Sequence, residues 1–241
     1  MIDWPAISHE GLGSSSDSEQ AGSSTLAVQV NLIRRFAMKT SRSLSIVVLL
    51  GFSCLMSAAE KGAWQSLFNG KDLAGWKNHG QEKWIVENGE ILGEAVTKEY
   101  GYLATIKTYK NFEMKGQFKA EGTGNSGIFY HSTLDGVDIK GVQVEVDPNP
   151  GKHTGGLYES GGREWLVMPS EAGEKALKVG EWNDVQFSVV GNHVVSYVNG
   201  IKAVDYTDPS PRYFDGVIAL QLHAGGEGKM RFKNLYVREI K

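Results

Sequence analysis

The chain has 241 residues, a formal net charge of −3 and one cysteine, Cys54. That balance offers no basic surface for nucleic acid, and a lone cysteine excludes a disulfide framework and a thiolate metal site. Removing residues 1–59 takes away four acidic residues (Asp3, Glu10, Asp17, Glu19) and four basic ones (Arg34, Arg35, Lys39, Arg42), so the remainder is also −3.

Residues 8–25 are rich in Ser and Gly and carry no hydrophobic period, which predicts disorder. Basic residues at Met38–Arg42 then precede an apolar run, Leu44–Leu55, and the small residues Ser57-Ala58-Ala59. This is the pattern of a secretory signal peptide over 38–59. The apolar run is short for a membrane span. Met38 is then the expected initiator, and 1–37 a disordered or mis-called extension. An uncleaved anchor and a lipid anchor at Cys54 are weaker alternatives. Residues 60–241 form the exported domain, long enough to bury one sizeable core. Its expected setting is the periplasm or the outside of the cell, with no membrane contact after cleavage and an oligomeric state that the sequence leaves open.

From Glu60 onward the chain shows short alternating runs broken by Gly, Asn, Asp and Pro, which predict strands. Asn88-Gly89 lies between Trp84–Glu87 and Glu90–Gly93, and Asn199-Gly200 between His193–Val198 and Ile201–Tyr206; both read as hairpins. Further strands are expected at 103–104, 112–120, 127–131, 141–147, 184–190, 216–223 and 230–240, with a functional loop over 148–179. Trp76 and Trp182 are expected to plug the core, and His131 and His153 to lie at the surface. Many short antiparallel strands imply an all-β sandwich.

Two strands carry the functional signal. Side chains alternate across a strand, so Val142, Val144 and Val146 face the core while Gln143, Glu145 and Asp147 share the other face. Leu220 and Leu222 likewise put Gln221 and His223 together. A scattered polar face is the ordinary alternative for either row alone. Both together predict a groove for a ligand rich in hydroxyls.

Several stretches occur in a recognisable order: Leu67–Trp76, Gly124-Asn125-Ser126-Gly127-Ile128-Phe129, Gly141–Pro148, Thr154-Gly155-Gly156-Leu157-Tyr158, Gly162-Arg163-Glu164-Trp165-Leu166, Gly180–Asn183, Val198-Asn199-Gly200, Leu220–His223 and Arg231–Leu235. Together they resemble the 3-keto-disaccharide hydrolase domain family across the whole of 60–241. The resemblance implies a concanavalin A-like jelly-roll sandwich of two antiparallel sheets. It also implies action on 3-keto-glycosides by elimination and hydration, with a catalytic role for Glu145.

A ketone at C3 acidifies the proton on C2, and a base with a pKa near working pH removes it. Glu145 or His223 fits that role. Charge developing on the C3 oxygen needs donors, and Gln143, Arg163 and Gln221 can supply them. A divalent cation on Glu145, Asp147 and His223 is the alternative. Tyr158 and Trp165 can stack on a sugar ring; Asn125 is a ligand contact or a turn residue, and Asp147 a ligand contact or a strand terminator. Two rival readings stay open: a retaining glucanase using Glu145 and Asp147, and a non-catalytic carbohydrate-binding module.

Overall fold

Both Asn-Gly pairs adopt the conformation their sequence favours. Asn88 and Gly89 have φ of 54° and 77°, Asn199 and Gly200 of 49° and 78°. Positive φ at both central residues gives a turn whose twist matches the strands it joins. The structure, a computed structural model, describes residues 60–241. The extension and signal peptide read over 1–59 lie outside the described residues.

In chain order the elements are β1 (Gln65–Ser66), β2 (Trp76–His79), β3 (Lys83–Glu87), β4 (Glu90–Glu94), β5 (Gly101–Tyr109), β6 (Phe112–Ala120), β7 (Ser126–Asp135), β8 (Asp138–Val146), β9 (Leu157–Ser160), β10 (Glu164–Val167), the helical turn α1 (Glu171–Glu174), β11 (Asn183–Val190), β12 (His193–Val198), β13 (Ile201–Thr207), β14 (Gly216–Leu222) and β15 (Lys229–Glu239). One antiparallel sheet runs β13-β12-β11-β6-β15-β4-β3, with β1 added on β15. The other runs β10-β9-β8-β7-β14-β5-β2.

The inward faces of the two sheets make one core, as alternation requires. Phe112, Phe118, Phe187 and Phe232 come from the first sheet; Leu103, Ile128, Val144, Leu157 and Leu220 come from the second. Each such side chain, fully buried, contributes about 1.5–3 kcal/mol of transfer free energy. The valines of β8 belong to this core. Trp76 is buried there too and donates its indole N–H to the Leu67 carbonyl at 2.7 Å.

Three expectations are corrected. The segment 148–179 is not one loop, because it holds β9, β10 and α1. Short strands flanked by Gly-rich turns carry too few residues to show a period. Trp182 is only half-buried and lies under the Lys233 ammonium, 3.7 Å from its ring centre, rather than in the core. His131 is buried, not superficial: it sits at a bulge with φ 48°. Its ring nitrogens face the carbonyls of Tyr213 (3.1 Å) and Lys110 (2.6 Å). His153 keeps the expected surface placement, half-exposed, and lines the site below.

Candidate active site

The outward row of β8 is not a solvated face. Gln143, Glu145 and Asp147 are 6%, 3% and 8% exposed. Their cover is local. The Gly155–Gly156 backbone pairs with Glu145 on one side, with both N–H···O bonds at 2.9 Å. Beyond it, β9 sets Tyr158 opposite Gln143, and β10 sets Trp165 opposite Tyr158. On the other side Gly127 pairs with Glu145 across β7, and Tyr102 of β5 pairs with Gln221 of β14. The result is a cleft of about 740 Å³ floored by the three polar residues of β8. Gln221, His223, Tyr100, Tyr102, Asn125, His153, Tyr158 and Trp165 stand around it.

Gly127 makes room for this floor. A Cβ there would stand 2.2 Å from Gln143 Oε1 and 3.4 Å from Gln221 Oε1. Any side chain at 127 would therefore displace the amide of Gln143.

Glu145 is held by amides rather than by cations. Asn125 Nδ2 donates to its Oε1, and Gln143 Nε2 donates to its Oε2 at 2.8 Å. Burial pushes the carboxyl up to about 8; the negative charge of Asp147 adds to the rise, and the two amide donors oppose it. Loss of solvation outweighs the hydrogen bonds because amides carry dipoles, not charges. Asn125 Nδ2 also donates to Asp147 Oδ2 at 3.1 Å, so one amide bridges both carboxyls. Asp147 has a second task as well. Its Oδ1 accepts from the Asn149 backbone N–H at 2.8 Å, the turn that ends the strand. The strand-terminating role of Asp147 thus falls to Oδ1, while Oδ2 accepts from Asn125, which itself lines the cleft.

Three amide oxygens are left over. Among the described residues, Asn125 Oδ1, Gln143 Oε1 and Gln221 Oε1 are buried without a hydrogen-bond partner. Leaving such an acceptor open costs about 1–3 kcal/mol. Three of them around one carboxyl define a site that lacks hydrogen-bond donors, which a hydroxyl-rich ligand would bring.

His223 joins this site from the end of β14. Its backbone N–H donates to the Asn125 carbonyl at 3.1 Å. The Ala224 carbonyl, 2.9 Å from Nδ1, can only accept, so Nδ1 carries a hydrogen and Nε2 faces the Tyr100 hydroxyl at 3.1 Å. Gln221 Nε2 lies 3.4 Å from the Tyr102 hydroxyl and donates to it. Burial pushes Tyr102 up to about 12, so its O–H stays intact and available to donate. Opposite this wall, Trp165 meets Tyr158 edge-on at 5.4 Å and His153 at 5.1 Å. The backbone N–H of His153 donates to Glu174 of α1 at 2.8 Å, which fixes the loop against the cleft.

Arg163 is not among these residues. β9 alternates, so Tyr158 turns to the cleft while Glu159 turns inward and is fully buried. Arg163 follows Glu159: Nε donates to it at 2.8 Å, and the guanidinium also holds Asp208 at 2.6–2.9 Å. The expected substrate contact is thus replaced by a structural ion pair. The metal set fares likewise. Among the described residues no group of three or more His, Cys, Asp and Glu side chains is disposed to hold a metal ion. Glu145 and Asp147 converge on Asn125, whereas His223 is turned to Tyr100 and Ala224. The residues present do not fit a cation held by Glu145, Asp147 and His223.

Tyr100, Tyr102, His153 and Gly127 escaped the sequence reading. Tyr102-Leu103-Ala104 alternates around a core leucine, a pattern that could have placed Tyr102 outward. Nothing local marks Tyr100 or His153.

Residues 63–238 match the family model described as a 3-keto-alpha-glucoside-1,2-lyase-like domain. The chain belongs to this family. A curated relative, the 3-keto-disaccharide hydrolase of Bacteroides thetaiotaomicron, is 26% identical over 194 residues, 66% of this chain and 67% of the relative. Among solved structures, a Parabacteroides distasonis protein described as a candidate glycosyl hydrolase is similar at TM-score 0.59 and 23% identity, covering 76% of this chain and all of that one. A Bacillus subtilis protein with a galectin-like fold matches at TM-score 0.61 and 13% identity, over 76% of this chain and 99% of the other. At those identities the two structures speak for the fold alone: a two-sheet jelly roll of the galectin and concanavalin A kind. The 3-keto-alpha-glucoside-1,2-lyase-like family is carbohydrate-active, and the open amide acceptors of the cleft suit that class of ligand.

Proposed function

We propose that this protein cleaves 3-keto-glycosides, with Glu145 as the base. The observation that carries the reading is a buried carboxyl at about 8, ringed by three unpartnered amide oxygens. Such a base works near neutrality without being a permanent charge. Glu145 takes the C2 proton, and the C2–H electron pair moves toward the C3 carbonyl to give the enolate. The enolate collapses to a C1–C2 double bond as the C1–O bond breaks. The leaving oxygen takes a proton, for which we assign the His223–Tyr100 pair. Water then adds at C1, C2 regains a proton from Glu145, and a 3-keto-sugar is released. The donor we assign to the enolate oxygen is Tyr102, which accepts from Gln221 and keeps its own hydrogen. Tyr158 and Trp165 offer ring faces to the sugar or its aglycone. Export through 38–59 would put this activity in the periplasm or outside the cell.

One observation favours a second reading. Glu145 and Asp147 share the Asn125 amide and are therefore close, as a retaining glucanase requires of its two carboxyls. The test is to incubate the full-length protein with a 3-keto-glucoside and with its unoxidised parent, with and without chelator, and to identify the products. Release of 3-keto-glucose from the first substrate alone is the expected result. Cleavage of the parent alone would replace the elimination with a retaining hydrolysis. Binding with no turnover of either would leave a carbohydrate-binding module.

A further inference from the structure

The outer face of the other sheet carries a second polar groove, of about 780 Å³, built mainly from β6, β11, β12 and β15. Strand register orders its side chains. Tyr236 pairs with Lys115, Lys115 with Gln186, and Gln186 with Tyr197, so these four form one straight row across four strands. Three inter-strand steps put the two tyrosines about 14 Å apart. Both are half-buried, so each shows part of its ring to solvent. A solvated sheet face is ordinarily polar. An aromatic at each end of one row, with an amide and an ammonium between, is a more particular pattern.

The charges of this face are largely settled within it. Glu113 takes Lys61 and Arg238, the latter with Nε at 2.6 Å. Gln117 Nε2 donates to Asp184 Oδ1 at 2.9 Å, and Asn234 Nδ2 donates to Gln117 Oε1 at 2.8 Å. The Lys115 ammonium lies 4.5 Å from the Trp64 ring centre and 5.6 Å from that of Tyr236. Three cations (Lys61, Lys115, Arg238) against two carboxylates (Glu113, Asp184) leave too little charge for a polyphosphate. A protein interface would show an apolar centre depleted in Lys, Asp and Glu, and this groove has the reverse.

We propose that this face is a second saccharide-binding surface, which takes a neutral polysaccharide chain laid along the Tyr236–Lys115–Gln186–Tyr197 row. Pyranose C–H faces pack on the two tyrosine rings, and hydroxyls bond the Gln186 amide between them and the Gln117 and Asp184 side chains beside the row. The choice of ligand rests on the carbohydrate reading of the protein, not on its 3-keto chemistry. Such a surface holds the enzyme on polymeric material while the cleft on the opposite sheet works on small glycosides.

The test is native affinity electrophoresis of the full-length chain in gels containing mixed-linkage β-glucan, amylopectin, dextran or xylan. Wild type should be retarded in at least one gel. Tyr197→Ala/Tyr236→Ala should weaken that binding about tenfold or more, the scale of truncating a central aromatic contact. Lys115→Ala/Gln186→Ala, which spares the rings that pack on the sheet, should weaken it in the same gel. Turnover of a small soluble 3-keto-glucoside should be unchanged in both, whereas Tyr158→Ala/Trp165→Ala should impair the cleft and leave retardation intact. No retardation of wild type in any gel overturns the proposal, as does retardation lost with Tyr158 and Trp165 but kept without Tyr197 and Tyr236. Failure of the 3-keto chemistry would show separately, as absent turnover beside intact retardation.

Discussion

Glu145→Gln keeps the shape of the side chain but removes the ionisable proton, and it leaves one oxygen to accept from either Asn125 or Gln143 while its NH2 faces the other donor. Burial lifts the wild-type carboxyl from 4.5 to about 8. At about 1.36 kcal/mol per tenfold, that gap is about 5 kcal/mol of preference for the neutral form in the folded chain. The folded carboxyl keeps its proton at pH values where the unfolded one has already released it. Between pH 4.5 and about 8 the folded state therefore binds more protons, and wild-type stability falls as pH rises. The variant has no such proton to lose. Urea unfolding of both proteins across about pH 4–9 should show the stability difference moving in the variant's favour as pH rises, by up to about 5 kcal/mol. Turnover of a 3-keto-glucoside by the variant should fall at least roughly a hundredfold, the lower range for a lost general base. Wild-type kcat/KM should climb with pH and level off above about 8, where the base is ionised. Parallel stability curves would refute the buried neutral carboxyl. Near-wild-type turnover would move the base elsewhere.

Gly127→Ala puts a methyl 2.2 Å from Gln143 Oε1, so Gln143 must leave Glu145; kcat/KM should drop more than about tenfold while the thermal midpoint moves little. Unchanged kinetics would show that Gln143 does not set the base. Arg163→Ala strips the cation from fully buried Glu159 and from Asp208, with Arg212 remaining 3.2 Å from Glu159. Chemical denaturation should report a loss of about 3 kcal/mol, the low end for breaking a buried pair, with kcat/KM per folded molecule unchanged. Normal stability with weakened substrate affinity would restore Arg163 as a substrate contact. His223→Ala should abolish cleavage with circular dichroism unchanged, because the ring packs on Tyr100 at the cleft rather than in the core; wild-type turnover would remove His223 from the chemistry.

Alternation made the face of β8 legible, because three valines and three polar residues interleave without a break. The two Asn-Gly turns were legible because their backbone demand is met by few other sequences. The burial of the polar row was not. It depends on β9 and β10, four residues each and bracketed by Gly155-Gly156 and Gly161-Gly162, which read as loop. Arg163 was misplaced for a related reason. Its second partner, Asp208, lies 45 residues away and carries no local signal. Tyr102 enters the site through its register with Gln221, and register is a property of two strands rather than of one.

The ion pairing of Arg163 and the poor fit of the alternative cation set have a common consequence for the chemistry. An arginine or a divalent cation against Glu145 would stabilise its ionised form and pull its pKa down, leaving a base too weak for a carbon acid. Amides do something different. The N–H groups of Asn125 and Gln143 orient the carboxyl and offset only part of the cost of burying it, so it settles near pH 8. Their carbonyl oxygens, with that of Gln221, are left facing inward without donors. Asn125 and Gln143 thus tune the carboxyl, and with Gln221 they leave open acceptors that suit a ligand bringing hydroxyls. Both features are costly to the empty fold, and the extensive two-sheet core offsets them. Committing Arg163 to Glu159 and Asp208, on the inner side of β9, keeps full positive charge away from a carboxyl whose reactivity depends on its absence.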